Sequence, residues 1–233
     1  MDPYLLPTAT SADERARAAE VALLPVGSFE QHGGSLPLAT DTVVACTVAR
    51  EIAAAHPVLL LPPVTISCSH EHAGWPGTVS ISAATLYAVV RDIAGSLRRS
   101  GVERLVLISG HGGNYVLGNV VQEAGGAMAL FPDLLDWAEA RNAAGLESPA
   151  DGDMHAGELE TSILLHAHPG LVRPGAQDVA ADDRRHLLTL GMSAYTASGV
   201  IGYPSLASAD KGRKLLAALV EAFGGCLAAL TRE

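Results

Sequence analysis

Four short apolar runs that alternate with stretches of helical pattern constrain the fold of this 233-residue chain more than any other feature. The apolar runs are Val21–Val26, Val58–Leu61, Arg104–Ser109 and Ala127–Phe131. The helical patterns cover Thr42–Ala55, Ala83–Ser100, Asn114–Gly125, Gly157–Ala167 and Ser208–Leu230. Short continuous apolar runs are typical of buried parallel strands, and their alternation with helices implies right-handed crossovers. We therefore predict an α/β fold, a mostly parallel sheet with helices on both faces.

The composition narrows the possible functions. Hydrophobic residues make up 48% of the chain and aromatic residues 4%, which suits small-residue helices packed on a parallel sheet. The net charge is −10 and no basic cluster is present, so we expect no nucleic-acid partner. The longest apolar runs are too short to cross a bilayer, so we expect no membrane association. With no repeat or linker evident, we expect one domain over residues 1–233.

The cysteines and the N-terminus indicate a cytoplasmic protein. Cys46, Cys68 and Cys226 are odd in number and far apart, which argues against a disulfide framework. Met1–Tyr4 shows no basic start of a signal peptide. A GxSxG nucleophile motif is absent and no cysteine is marked as activated, so covalent hydrolysis is disfavoured.

The segment that follows the first predicted strand holds Glu30, His32 and Asp41. Glu30 and His32 are two apart in an extended segment, so their side chains point the same way. Carboxylates and imidazoles are ligands of divalent metals, and open α/β sheets bind ligands at the carboxyl ends of their strands. Asp41 alone is better explained as a helix cap. Together the three residues predict a metal site.

A second polar segment, Ser109–Asn114, follows the third predicted strand. Its glycines allow the backbone to approach a ligand closely. A tight strand–helix turn capped by Asn114 is the structural alternative, and the glycine patterns of phosphate-binding loops are absent. Because His111 stands at the carboxyl end of a strand, we predict that it is a further metal ligand.

A third segment, Met154–Ser162, contains His155, Glu158 and Glu160. The two glutamates cannot share a helix face, because two residues advance a helix by about 200°. An acidic first turn stabilised by the helix dipole accounts for Glu158 but not for His155.

The fourth segment, Ser69–His72, places Glu71 between two histidines, but its spacing is not that of HExxH. We expect it to contact substrate or to orient a metal ligand more than to bind metal directly. Trp75 follows, and it either forms an aromatic wall of the site or packs over the edge of the core.

Taken together, these motifs resemble the creatininase (creatinine amidohydrolase) family. The resemblance covers residues 21–211 and rests on Gly-Ser-Phe-Glu30-Gln-His32-Gly, Leu-Pro-Leu-Ala-Thr-Asp41, Gly-His111-Gly-Gly-Asn114 and His155-Ala-Gly-Glu-Leu-Glu160-Thr. It implies a three-layer α/β/α sandwich, a hexameric homo-oligomer and a centre of two divalent metal ions.

The resemblance also assigns roles to residues. It makes Glu30 and His111 ligands of one metal, His32 a ligand of the other, and Asp41 the bridge between them. His155 would be the proton-transfer residue, and Glu160 an acidic residue of the same site.

One departure from the family pattern concerns the third motif. Creatininases carry a tyrosine and a metal-ligating glutamate after its histidine, where this chain has Gly112 and Gly113. We predict that Glu160 completes the second metal site instead. The Gly-Gly form resembles non-creatininase branches of the family, namely a deformylase of flavin-type biosynthesis and the peptidase that matures mycofactocin.

The resulting hypothesis is a metal-dependent amidohydrolase that cleaves a non-peptide or cyclic amide C–N bond in a small molecule. Two ions, Zn, Mn or Fe, would activate water, and His155 would protonate the leaving nitrogen. His72, Trp75, Gly112 and Gly113 are the candidate substrate contacts. Three alternatives remain: a formamide deformylase, a peptidase acting on a modified peptide, and a metal-dependent ligand-binding protein without catalysis.

Overall fold

A computed structural model describes residues 6–181 and 183–232. The segment Met1–Tyr4, where no signal peptide was expected, lies outside the described residues. Asp182 also lies outside the described residues.

The sheet has four strands, all paired in parallel. They are β1 (Val21–Val26), β2 (Leu59–Leu60), β3 (Arg104–Ser109) and β4 (Met128–Phe131), in the spatial order β2-β1-β3-β4. Strand β1 is central and buried along its whole length, as its continuous apolar run predicts. The four predicted strands are confirmed, with β2 shorter than the predicted Val58–Leu61.

Helices cover both faces of the sheet. They are α1 (Ser11–Arg17), α2 (Thr40–Ala55), α3 (Ala83–Arg99), α4 (Val116–Glu123), α5 (Leu134–Ala144), α6 (Glu158–Ala167), α7 (Leu187–Leu190) and α8 (Ala209–Leu230). On one face α2, α5, α6 and α8 bury apolar side chains against Val106 and Ile108 of β3. On the other face α3 and α4 pack against Leu105 and Leu107. The alternation along β3 therefore separates two cores, and the predicted α/β/α sandwich is confirmed.

Helix α5 was not predicted from the sequence. Its first residues, Leu134 and Leu135, are exposed, so no apolar stripe marks the helix. The signal that was present is the capping box of Asp133 and Asp136, which satisfies backbone N–H groups at the helix start. Helix α5 packs on α8 and forms one wall of the groove described below.

Two further expectations concern the cysteines and the membrane. Cys46, Cys68 and Cys226 are free thiols. Among the described residues, no helix has the length and apolar character needed to span a membrane.

Candidate metal centre

Close backbone packing at the carboxyl ends of β1 and β3 positions the first turn of α2. A Cβ atom at Gly27 would lie 2.3 Å from the Cα of Thr42, and one at Gly110 would lie 2.2 Å from the carbonyl oxygen of Asp41. Only glycine allows this approach. The side chain of Asp41 is thereby held over the ends of both strands.

Asp41 is not a helix cap. The N-cap residue of α2 is Ala39, and no side chain caps this helix. The Asp41 carboxylate instead accepts a hydrogen bond of 2.5 Å from the hydroxyl of Ser28 and faces two histidines. His32 Nε2 lies 3.0 Å from its Oδ1 atom, and His111 Nδ1 lies 3.1 Å from its Oδ2 atom.

Three sets of side chains have ligand atoms that all lie within 4.8 Å of one another, the spacing needed to hold a cation. The sets are Glu30–Asp41–His111, His32–Asp41–Glu160 and Glu30–His32–His155. The first two share only Asp41, whose two oxygens face different histidines. The structure thus brings all five predicted ligands and His155 together around one carboxylate.

Glu30 provides a direct test of whether this cluster fits metal ions. Its side chain is fully buried, and neither carboxylate oxygen has a hydrogen-bond partner. The Nε2 atoms of His72 and His111 lie 3.2 Å from its two oxygens, without hydrogen-bond geometry. Burial, followed by the charge of Asp41, raises the pKa of Glu30. A buried carboxylate without donors is costly unless a cation satisfies it, so the residues fit a metal.

The histidines fall into two electrostatic groups. Burial alone would lower the pKa values of His32 and His111, but neighbouring carboxylates, chiefly Asp41, raise both well above the ordinary value. Burial does lower the pKa of His155 well below that value and the pKa of His72 to about 3. His32 and His111 thus lie where positive charge is stabilised, whereas His72 and His155 are neutral.

His155 has a defined orientation. Its Nε2 atom donates a hydrogen bond of 2.6 Å to the carbonyl oxygen of Gln31, which can only accept. The Nδ1 atom therefore carries the lone pair, and it lies 3.7 Å from Oε1 of Glu30. Paired backbone hydrogen bonds with Ile201, of 2.8 and 3.0 Å, fix the main chain at this point.

Helix α6 separates its two glutamates as the helical geometry requires. Glu160 turns toward the cluster, and its Oε1 atom lies 3.8 Å from His32 Nε2. Glu158 is fully buried on another side of the helix, where it accepts hydrogen bonds from Ser148 and Lys211. Glu158 therefore has a structural role at the start of the helix, whereas Glu160 faces the candidate ligands.

The polar residues of the β3–α4 turn also differ in what they contact. Asn114 does not cap α4; its side chain accepts a hydrogen bond from the amide of Cys68 and donates one to the carbonyl of Gly27. These bonds connect the turn to the residue that follows β1 and to the loop after β2. His111 is held there by donating from Nε2 to the carbonyl oxygen of Cys68, at 2.9 Å.

A groove of about 630 Å³ opens beside His111 and Glu160. Its walls are largely apolar, and few of the residues that form them were predicted from the sequence. They include Tyr115, Leu130, Leu134, Trp137 and Met154. Trp137 belongs to the missed helix α5, which explains why it was not foreseen.

The four candidate substrate contacts are placed differently from one another. Gly112 is exposed and lines the groove. Gly113 and His72 are buried, the former against Glu71 and the latter against Glu30. Trp75 is half-buried and is not part of the groove lining.

Comparison with known proteins places this arrangement in a family. The family model described as creatinine amidohydrolase matches residues 7–227. The chain belongs to the creatininase family. It is 35% identical to the mycofactocin precursor peptide peptidase of Mycolicibacterium smegmatis, over 96% of this chain and 89% of that protein. It is 27% identical to the creatinine amidohydrolase of Pseudomonas putida, over 86% of each chain.

Solved structures agree on the fold. A tryptophan-to-phenylalanine mutant of creatininase superposes with a TM-score of 0.78 at 26% identity, covering 94% of this chain and 96% of that chain. A manganese form of creatininase and the zinc–zinc form of a glutamate-to-glutamine mutant have the same fold, with TM-scores of 0.78 and 0.77 and 24% identity, each covering 94% of this chain and 95% of that chain. This creatininase-family chain therefore combines the family fold with a cluster of side chains that could hold a metal ion.

Proposed function

We propose that this chain is a metal-dependent amide hydrolase and that its substrate is a peptide. The observation that carries the proposal is that two ligand sets joined by Asp41 lie beside a groove of about 630 Å³, which His111 and Glu160 help to line. The peptidase relative at 35% identity supports a peptide substrate over the cyclic amide first considered.

Each ligand set would hold one divalent ion. Glu30, Asp41 and His111 would bind the first ion, and His32, Asp41 and Glu160 the second. Ions held in this way polarise an amide carbonyl and lower the pKa of water toward neutrality. Mixed imidazole and carboxylate ligands suit Zn, Mn or Fe, and the manganese and zinc forms of creatininase support the first two.

His155 would move the proton. Its Nδ1 lone pair faces the cluster, while the Gln31 carbonyl holds the ring through Nε2–H. Neutral His155 can accept a proton from the attacking water at Nδ1 and pass it to the leaving amine. Burial and the neighbouring histidines keep this ring neutral beforehand.

The groove would bind the peptide. Apolar side chains line it, and exposed Tyr115 and Leu134 extend its walls outward. A cleft of this size is larger than a single-ring substrate needs, and it suits several side chains of an extended peptide. We further propose, by family resemblance, that the protein is a hexameric homo-oligomer in the cytoplasm.

The test combines metal analysis with a substrate panel. The purified protein is loaded with Mn²⁺ or Zn²⁺, and amine release is measured from short apolar peptides, formamides and creatinine. We expect about two ions per chain and turnover of peptides only. Turnover of creatinine or a formamide without peptide cleavage contradicts the peptide substrate, and stoichiometric binding without turnover contradicts catalysis.

A further inference from the structure

Gly113 occupies a position where an added side chain would collide with two neighbouring side chains. A Cβ atom there would lie 2.1 Å from Oε1 of Glu71 and 2.4 Å from Nε2 of His111. A Cβ atom at the neighbouring Gly112 would meet no atom within 4 Å. The space beside His111 that residue 113 leaves open is therefore taken by the carboxylate of Glu71.

Glu71 reaches this space from a different part of the chain. It lies in a 3₁₀ turn, His70–His72, in the loop after β2. The same turn buries His72 against Glu30. Gly191 packs against the main chain of Glu71, and a Cβ atom at Gly191 would lie 3.0 Å from the Glu71 carbonyl oxygen. The backbone of Glu71 thus packs on Gly191, and its carboxylate lies against Gly113.

The Glu71 carboxylate lacks a hydrogen-bond donor. Its side chain is only 11% exposed, and its contact of 3.5 Å is with Nε2 of His111. That nitrogen already donates its hydrogen to the carbonyl oxygen of Cys68. Across residues 6–181 and 183–232, no other group bonds to the carboxylate. The carboxylate is therefore free to interact with a cation beside His111.

We propose that Glu71 is a further carboxylate of the candidate metal centre and stabilises the ion held by Glu30, Asp41 and His111. Glu71 stands beside the three ligand sets rather than within them, and it approaches them through His111. With Glu71 included, the carboxylates of Glu30, Asp41, Glu71 and Glu160 match the charge of two divalent ions. Gly113 is then required because it leaves room for Glu71. This inference rests on the proposed function.

Metal binding measures the inference without using activity. Apoprotein variants are titrated with Mn²⁺ and with Zn²⁺ by calorimetry, and the increase in melting temperature on adding metal is recorded. Glu71→Gln keeps the shape of the side chain and removes its charge. We expect it to weaken the binding of one of the two ions about tenfold or more. Gly113→Ala should weaken the same ion because its methyl group would displace both Glu71 and His111, and Gly112→Ala, its matched control, should bind both ions as the parent does.

A charge-retaining variant guards against a folding artefact. Glu71→Asp keeps the carboxylate on a shorter side chain and should bind the weakened ion more tightly than Glu71→Gln does. The inference is overturned if Glu71→Gln binds both ions with parental affinity while Asp41→Asn loses them, and the proposed function then stands. If the parent protein itself binds no divalent ion, the proposed function fails and the inference fails with it.

Discussion

The backbone amide of Ala156 donates a hydrogen bond of 2.6 Å to Oε2 of Glu160. One oxygen of the carboxylate is thereby fixed, and the other is left to face His32 at 3.8 Å. Ala156 adopts a positive φ of 53°, which few alanines do, and this conformation sends the chain from His155 into α6. Glu160 is therefore oriented by the same turn that orients His155.

This orientation predicts different metal contents for two variants. Glu160→Gln should lose one of the two ions, because Glu160 belongs only to the set His32–Asp41–Glu160. Asp41→Asn should lose both, because Asp41 belongs to that set and to Glu30–Asp41–His111. Elemental analysis of the dialysed proteins measures the difference, with Glu158→Gln as the matched control that keeps both ions. Equal metal loss in Glu160→Gln and Asp41→Asn contradicts the shared role of Asp41.

His155 should be needed for turnover more than for metal. His155→Ala removes the Nδ1 atom proposed to move the proton, and general acid–base catalysis contributes about 10²–10⁴-fold to rate. We expect kcat to fall by that factor while the protein keeps both ions that Asp41 helps to bind. Steady-state kinetics on the metal-loaded variant measure this. An unchanged kcat removes His155 from the mechanism.

Trp137 should contribute to substrate binding. It lines the groove beside the candidate metal centre, whereas Trp75 does not. Loss of its apolar surface in Trp137→Ala should raise KM about tenfold, equivalent to about 1.4 kcal/mol, with little change in kcat. Trp75→Ala is the comparison, since the sequence predicted a substrate contact there. A larger KM increase for Trp75→Ala than for Trp137→Ala favours the sequence-based prediction.

Asp153 should support the site through stability. Its carboxylate pairs with Arg141 at 3.0 Å and accepts hydrogen bonds from the amides of Glu158 and Leu159 at the start of α6. Asp153→Ala leaves a buried arginine unpaired, which costs about 3–5 kcal/mol. Urea unfolding measures the loss, and the exposed Asp151→Ala should change stability little. Similar midpoints for the two variants would argue against this network.

The Glu158–Lys211 pair should make stability depend on acid pH. Burial alone would raise the pKa of Glu158, but hydrogen bonds from Lys211, Ser148 and backbone amides lower it overall. A lowered folded-state pKa gives stability that is present above the ordinary value of 4.5 and is lost as the pH falls through the folded value. Lys211→Met should therefore differ most from the parent near neutral pH.

Chemical unfolding at several pH values measures this dependence. The difference in unfolding free energy between parent and Lys211→Met should shrink below pH 4.5. Lys214→Met, which removes an exposed pair with Asp210, should show a much smaller difference at every pH. A constant difference for Lys211→Met down to pH 3 would contradict the assignment.

The sequence predicted the sheet and the candidate ligands because both depend on local signals. Continuous apolar runs mark buried strands, and polar residues directly after β1 and β3 converge wherever parallel strands end together. Helix α5 carried no apolar stripe, so Trp137 and its wall of the groove were missed. The contact between Glu71 and Gly113 was also out of reach, since it joins two loops 42 positions apart and depends on tertiary packing.

Gly27 and Gly110 touch no candidate ligand atom, yet the distance between the two strand ends and the first turn of α2 depends on them. A methyl group at either position would force the helix outward and separate Asp41 from both of its histidines at once. Backbone packing alone thus sets the arrangement of the candidate ligands around Asp41. In a mutational scan, these two glycines should tolerate as little change as the ligands themselves.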